Sequence, residues 1–114
     1  FVQNDNIYIG GDYWNDGWAG ENLAVLIKTG SSGIVELSGA IAPNTADNIK
    51  ISAYIGDLLV EELAPSGGNF TFDVDTGVKN DWVELNIKAD FSVQNYPDVR
   101  KLSYLVKNIH AKNA

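Results

Sequence analysis

Aromatic and acidic side chains are concentrated between residues 10 and 20, where Tyr13, Trp14 and Trp18 lie within six positions of one another. A sugar ring presents an apolar face of C–H groups that stacks on indole and phenol rings, while carboxylates and amides bind its hydroxyl groups. Asp12 and Asp16 can supply such hydrogen bonds. The composition therefore favours a sugar site. The alternative is that Trp14 or Trp18 fills the core at one end of the fold.

A second aromatic candidate is Trp82, because its position in the alternation of residues 82–89 contradicts its chemistry. It is in phase with Asn86 and Lys88, whereas the apolar residues point the other way. Tyr54 is likewise in phase with polar residues of its own predicted strand. If the two strands are neighbours, both rings would form a flat stacking surface for an extended glycan, with Asn86 and Lys88 binding hydroxyl groups. Otherwise Trp82 folds over a strand end or lies under a loop.

The acidic residues have two further interpretations besides solvated surface charge. A glycosidase needs two carboxyl groups separated by ~5–9.5 Å, which gives a small hydrolase as a third hypothesis. Calcium takes carboxylate and carbonyl oxygens from loops, so a structural calcium site is also predicted, although the spacing is not that of an EF-hand. Its candidate ligands are Asp5, Asp12, Asp16, Glu21 and Asp98.

Composition excludes several chemistries. The chain has no cysteine and a single histidine, His110, so disulfides, a thiol nucleophile and a two-imidazole metal site within one copy are excluded. No nucleophile-elbow serine motif occurs, and we predict that the protein is not an enzyme. The formal net charge of −7 repels phosphate backbones and anionic lipids. No apolar run reaches the ~20 residues of a membrane-spanning helix, so neither nucleic acid nor membrane is expected as a partner.

The hydrophobic periodicity is that of β-structure. Apolar and polar residues alternate at 33–42, 48–55, 69–74 and 82–89. Residues 23–27 form a continuous apolar run, typical of a strand that is buried on both faces or covered by a loop. With turn signals between them, roughly eight strands are predicted. We expect an all-β fold, an antiparallel β-sandwich of the jelly-roll type. Residues 10–20 and 90–98 are predicted to be long loops.

Four short segments carry a family resemblance: Asp-Gly-Trp at 16–18, Lys-Thr-Gly at 28–30, the strand at 48–55 and Arg-Lys-Leu-Ser-Tyr at 100–104. Over about residues 12–110 they resemble an accessory β-sandwich attached to bacterial glycosyltransferases and methyltransferases that build surface polysaccharide. More broadly, the chain resembles a carbohydrate-binding module. The resemblance implies a non-catalytic module that binds glycan or docks to its catalytic domain.

We therefore predict one β-sandwich module over residues 1–114, excised from a larger polypeptide because position 1 is not methionine. Its predicted partners are a polysaccharide or oligosaccharide and the parent catalytic domain. The alternative is a structural module that packs on its parent enzyme or on copies of itself, with Trp82 and Tyr54 as interface anchors. An extracellular or cell-surface location is favoured for a binding module, and a cytoplasmic one for part of a glycosyltransferase.

Overall fold

The computed structural model describes residues 5–43, 45 and 47–114. The described residues form β-strands and no helix, and every pair of neighbouring strands is antiparallel. The all-β antiparallel fold and the predicted number of strands are confirmed. The eight strands are β1 Ile7–Tyr13, β2 Trp18–Lys28, β3 Ile34–Ile41, β4 Ile51–Ile55, β5 Leu58–Leu63, β6 Asn69–Asp75, β7 Trp82–Ala89 and β8 Tyr104–Ala111.

The strands are joined in one hydrogen-bonded path, β5-β4-β7-β2-β8-β3-β6, with β1 on β2. The long strand β2 makes this continuity possible. Its residues 22–28 pair with β7, whereas its first two residues, Trp18 and Ala19, pair with β8. The sheet bends at this strand and curls until β5 contacts β6, so it is nearly closed. A division into the two sheets of a jelly roll stays a prediction.

The core lies inside the curled sheet and follows from the alternation of each strand. On β7, Val83, Leu85 and Ile87 are buried, whereas Trp82 and Glu84 are exposed. Burying each such aliphatic side chain contributes roughly 1.5–3 kcal/mol. A shift of the strand register by one residue would expose these buried side chains, so their burial fixes which side chains point outward.

Strand β2 corrects the prediction of a strand covered on both faces. Leu23, Val25 and Ile27 are 1–3% exposed, but Leu26 is 40% exposed and Ala24 is half-buried. The reason is that only the inner face of the sheet packs against other strands. Apolar residues of β2 therefore line an outer surface that faces solvent.

Residues 10–20 are not a long loop, because β1 continues to Tyr13 and β2 starts at Trp18. Only residues 14–17 form the turn between them, closed by a hydrogen bond from the Gly17 N–H to the Trp14 carbonyl at 2.9 Å. The prediction mistook glycines in strands for loop signals. Residues 90–98 do lie outside the named strands, as predicted.

Gly11 lies at an irregularity in the pairing of β1 with β2 that requires glycine. Its φ is 73°, and the pairing of β1 with β2 shifts register just after it. A Cβ at this position would lie 2.5 Å from the backbone oxygen of Asn22. Glycine therefore permits a bulge and a close backbone approach within the strand pair.

Candidate functional site

Four adjacent strands, β1, β2, β7 and β4, present one continuous outer face. Residues in register across an antiparallel sheet point to the same side, so pairing identifies the outward side chains. Three cross-strand rows result, formed by Tyr8, Leu26 and Glu84, by Gly10, Ala24, Asn86 and Tyr54, and by Asn22, Lys88 and Ser52.

A groove lies along β2 on this face, and we call it the β2 groove. One part has a volume of about 300 Å³ and is bordered by Tyr8, Leu26 and Glu84. A second part of about 140 Å³ is bordered by Asn22, Asn86 and Lys88. Both parts include Ala24, and Gly10 borders the first part and Gly11 the second. The groove exists because small residues in the middle of the face are flanked by large ones.

Tyr8 borders one end of the β2 groove and is in contact with the ring of Trp82, one row further along the sheet. The ring centroids of Tyr8 and Trp82 are 5.9 Å apart, with an angle of 29° between the planes. Tyr8 is 57% exposed and Trp82 is 39% exposed. Their strands lie on opposite sides of β2, about 10 Å apart, so the side chains reach across β2 to make contact. Together they present apolar ring surface to solvent.

Trp82 thus lies on the outer face, as its phase predicts, but its aromatic neighbour is not Tyr54. Tyr54 is in register with Asn86, four residues along β7, which separates the Cα atoms of Tyr54 and Trp82 by about 14 Å. The Nζ of Lys88 lies 4.9 Å from the centre of the Tyr54 ring. The two strands are neighbours, as the prediction required, but the rings of Tyr54 and Trp82 are not adjacent and Lys88 covers one face of Tyr54. A stacking surface that uses both rings stays a prediction.

Tyr8 is the residue of this face that the sequence interpretation missed. It lies between Ile7 and Ile9, which point inward, so its phase is opposite to that of its apolar neighbours. The same signal drew attention to Trp82. Applied to the first strand, it would have identified Tyr8 as an outward aromatic residue.

Arg100 holds the acidic 14–17 turn through ion pairs. Its Nη1 lies 2.9 Å from Asp16 Oδ2, and its Nη2 lies 2.8 Å from Asp98 Oδ2. The guanidinium carbon lies 5.3 Å from the centre of the Trp14 ring. Hydrogen bonds from Arg100 hold the pKa of Asp98 below its usual range. Arg100 therefore joins the 14–17 turn to the loop before β8 and covers part of Trp14.

The other predicted site residues of this region, Tyr13, Trp18 and Asp12, lie on the strands that flank the turn. Tyr13 packs against the core, and burial followed by the charge of Asp16 raises the pKa of its phenol. Trp18 is half-buried and starts β2 in register with Leu105. Asp12 accepts a hydrogen bond from the Asn22 N–H at 3.2 Å, which places its carboxylate beside the polar end of the β2 groove.

The proposed calcium ligands are dispersed. No three acidic or histidine side chains among the described residues come together in a group that could hold a metal ion. Asp16 and Asp98 are paired with Arg100, Asp5 is exposed in the turn before β1, and Glu21 is half-buried on β2. A calcium site stays a prediction.

No helix long and apolar enough to cross a membrane occurs in the part of the chain that the structure describes. Comparison of the chain with protein-family models, with curated proteins and with solved structures yields no match.

Proposed function

We propose that this chain is a non-catalytic carbohydrate-binding module that binds a glycan in the β2 groove. The observation that carries the proposal is the contact between Tyr8 and Trp82 beside a groove that is apolar at Leu26, small at Ala24 and polar at Asn22 and Asn86. Exposed rings supply stacking surface for sugar C–H groups, and amide and carboxylate groups beside them supply hydrogen bonds. The family resemblance supports a role beside the catalytic domain of a larger bacterial polypeptide.

The lining of the β2 groove matches the chemistry of a sugar at each position. Leu26 and the aromatic pair provide apolar contact at one end. Asn22 and Asn86 provide amide donors at the other end, and the Lys88 ammonium lies beside the Tyr54 ring on the far side of β7. The floor at Ala24 carries only a methyl group, so a ring lying in the groove meets no bulky side chain there.

The first experiment is affinity electrophoresis or a glycan array with the Trp82→Ala variant. We expect binding to weaken at least about tenfold, because the variant loses the stacking surface of the indole ring. A loss of about 1.4 kcal/mol of binding free energy corresponds to that factor. The matched control is Tyr96→Ala, which removes an aromatic ring that is 89% exposed but lies outside the groove. Equal binding by the Trp82→Ala variant and the wild type would contradict the proposed site.

A second variant tests the groove without removing an aromatic ring. A Cβ added at Gly10 meets no atom within 4 Å, so the backbone there accepts a side chain, and Gly10→Leu directs it to the groove side of the sheet. We expect loss of glycan binding with an unchanged melting temperature. Trp14→Ala separates the loop alternative: a loss of binding there, with the Gly10→Leu variant still binding, would move the site to the turn.

Exposed leucines favour the structural alternative as a second candidate function. Leu58 and Leu59, at the β4–β5 hairpin, are 67% and 45% exposed. Aliphatic side chains do not stack on sugars as aromatic rings do, but they are suited to a protein interface. We expect sedimentation to report self-association for this function, reduced in a Leu58→Ser/Leu59→Ser variant. A monomer at all concentrations would exclude self-association but not docking to a parent enzyme.

A further inference from the structure

We infer that the β2 groove binds the end of a glycan chain and not its interior. This inference rests on the proposed function and concerns the shape of the same site. On the sequence alone, a site on the sheet face would bind an extended chain along its length. The contact between Tyr8 and Trp82 changes that expectation.

The aromatic pair closes the groove at one end. Tyr8 and Trp82 come from strands on either side of β2, in register with Leu26 and Lys28 respectively, and their rings are in contact across β2. A chain lying along β2 from the direction of Asn22 would meet these rings after passing Ala24. It could continue along the strand only by leaving the floor of the groove and passing over the rings. The groove is therefore blocked in this direction.

The closed end is suited to a terminal sugar. Apolar surface is available from Tyr8 and Leu26, and the Glu84 carboxylate borders the same part of the groove. Within the described residues Glu84 makes no ion pair, so its oxygens are available to accept hydrogen bonds from hydroxyl groups. A terminal sugar has one hydroxyl more than an internal one at the position where the chain would continue, and that hydroxyl needs a partner when it is desolvated.

The opposite end has polar residues that leave room for the rest of the chain. Asn22, Asn86 and Lys88 border it, and Lys88 leans toward Tyr54 on β4, away from β2. The two ends of the groove therefore differ, with stacking surface at the blocked end and hydrogen-bonding groups at the other. We expect the chain to enter from the polar end.

The experiment compares polymers and their fragments at equal mass of sugar. Xylan, glucan and mannan are each tested intact and after partial hydrolysis to short oligosaccharides, and the protein bound at saturation is measured by calorimetry. Because hydrolysis multiplies chain ends, end binding predicts that capacity rises in proportion to the number of ends. An equal or lower capacity after hydrolysis would overturn the inference and leave the proposed function standing. If no sample of either kind binds, the proposed function fails as well.

A variant tests the aromatic pair directly. Tyr8→Ala removes one ring and keeps Trp82 for stacking, and the exposed position of Tyr8 predicts little effect on folding. We expect the ratio of fragment capacity to intact-polymer capacity to fall several-fold, because the groove becomes open at both ends. Tyr96→Ala is the control and should leave the ratio unchanged. An unchanged ratio for the Tyr8→Ala variant would show that the pair does not select chain ends.

Discussion

The buried hydroxyl group of Tyr104 can be removed by a single substitution, which makes its effect on stability testable. Its side chain is fully buried and lies edge-on to Phe70, with ring centroids 5.5 Å apart. Among the described residues its hydroxyl has no hydrogen-bond partner. Leaving a buried polar group unsatisfied costs about 1–3 kcal/mol, and Tyr104→Phe removes that group while keeping the ring contact. We therefore expect the variant to be more stable than the wild type.

The assay is thermal unfolding followed by circular dichroism. A gain at the lower limit, about 1 kcal/mol, should raise the melting temperature by roughly 4 °C in a domain of this size. Tyr96→Phe is the control, because Tyr96 is 89% exposed and its hydroxyl needs no protein partner. A melting temperature for the Tyr104→Phe variant at or below that of the wild type would refute the reasoning, since the hydroxyl would then have a stabilising partner.

The same residue predicts a dependence of stability on alkaline pH. Burial raises the pKa of Tyr104 in the folded protein. Above about pH 10 the unfolded chain loses this proton while the folded chain retains it, so stability falls by about 1.4 kcal/mol per pH unit from this group. The Tyr104→Phe variant should lose this contribution. Equal slopes above pH 10 in the two proteins would contradict it.

Three further predictions concern the turn, the bulge and metal binding. Because Arg100 lowers the pKa of Asp98, the ion pair stabilises the folded protein above the ordinary carboxyl pKa, and this stabilisation is lost as the pH falls through the lowered pKa. The Asp98→Asn variant should therefore have a lower melting temperature than the wild type at pH 7 but not in strong acid. A deficit of equal size at every pH would exclude the ion pair as its cause. Gly11→Ala should lower the free energy of unfolding by about 1–2 kcal/mol, because alanine is strained at the positive φ of this position. Gly10→Ala should lower it less, and equal losses in urea unfolding would argue against the bulge. At Asp16 and Asp98 calcium would compete with Arg100 for the carboxylates. The calcium prediction expects EDTA to lower the melting temperature and added calcium to restore it, and an unchanged midpoint would remove it.

Local alternation made much of the fold predictable from the sequence. The buried and exposed positions of β7 follow directly from the alternation, which also predicted that Trp82 points outward. The alternation also predicted that the fold is all-β and has roughly eight strands. Glycine was a weaker guide, because Gly11 lies in a bulge within a strand and not in a loop. A single sequence does not distinguish these two uses of a positive φ angle.

The identity of neighbouring strands was not predictable in the same way. Trp82 was matched with Tyr54 because both have an outward phase, yet its contact is with Tyr8, two strands away across β2. Arg100 likewise meets Asp16, which is far away in the sequence. Such contacts depend on long-range pairing, and the pattern of an individual strand carries no information on its partner.

The sequence by itself determined the fold class, the direction of the outward side chains and the absence of cysteine chemistry, because these depend on composition and on a period of two residues. The tertiary structure decided that β2 lies between β1 and β7, which brings Tyr8 and Trp82 together and leaves a groove over Ala24. The physical reason is that side-chain phase is a property of each strand, whereas a binding surface is built by the order in which strands pair.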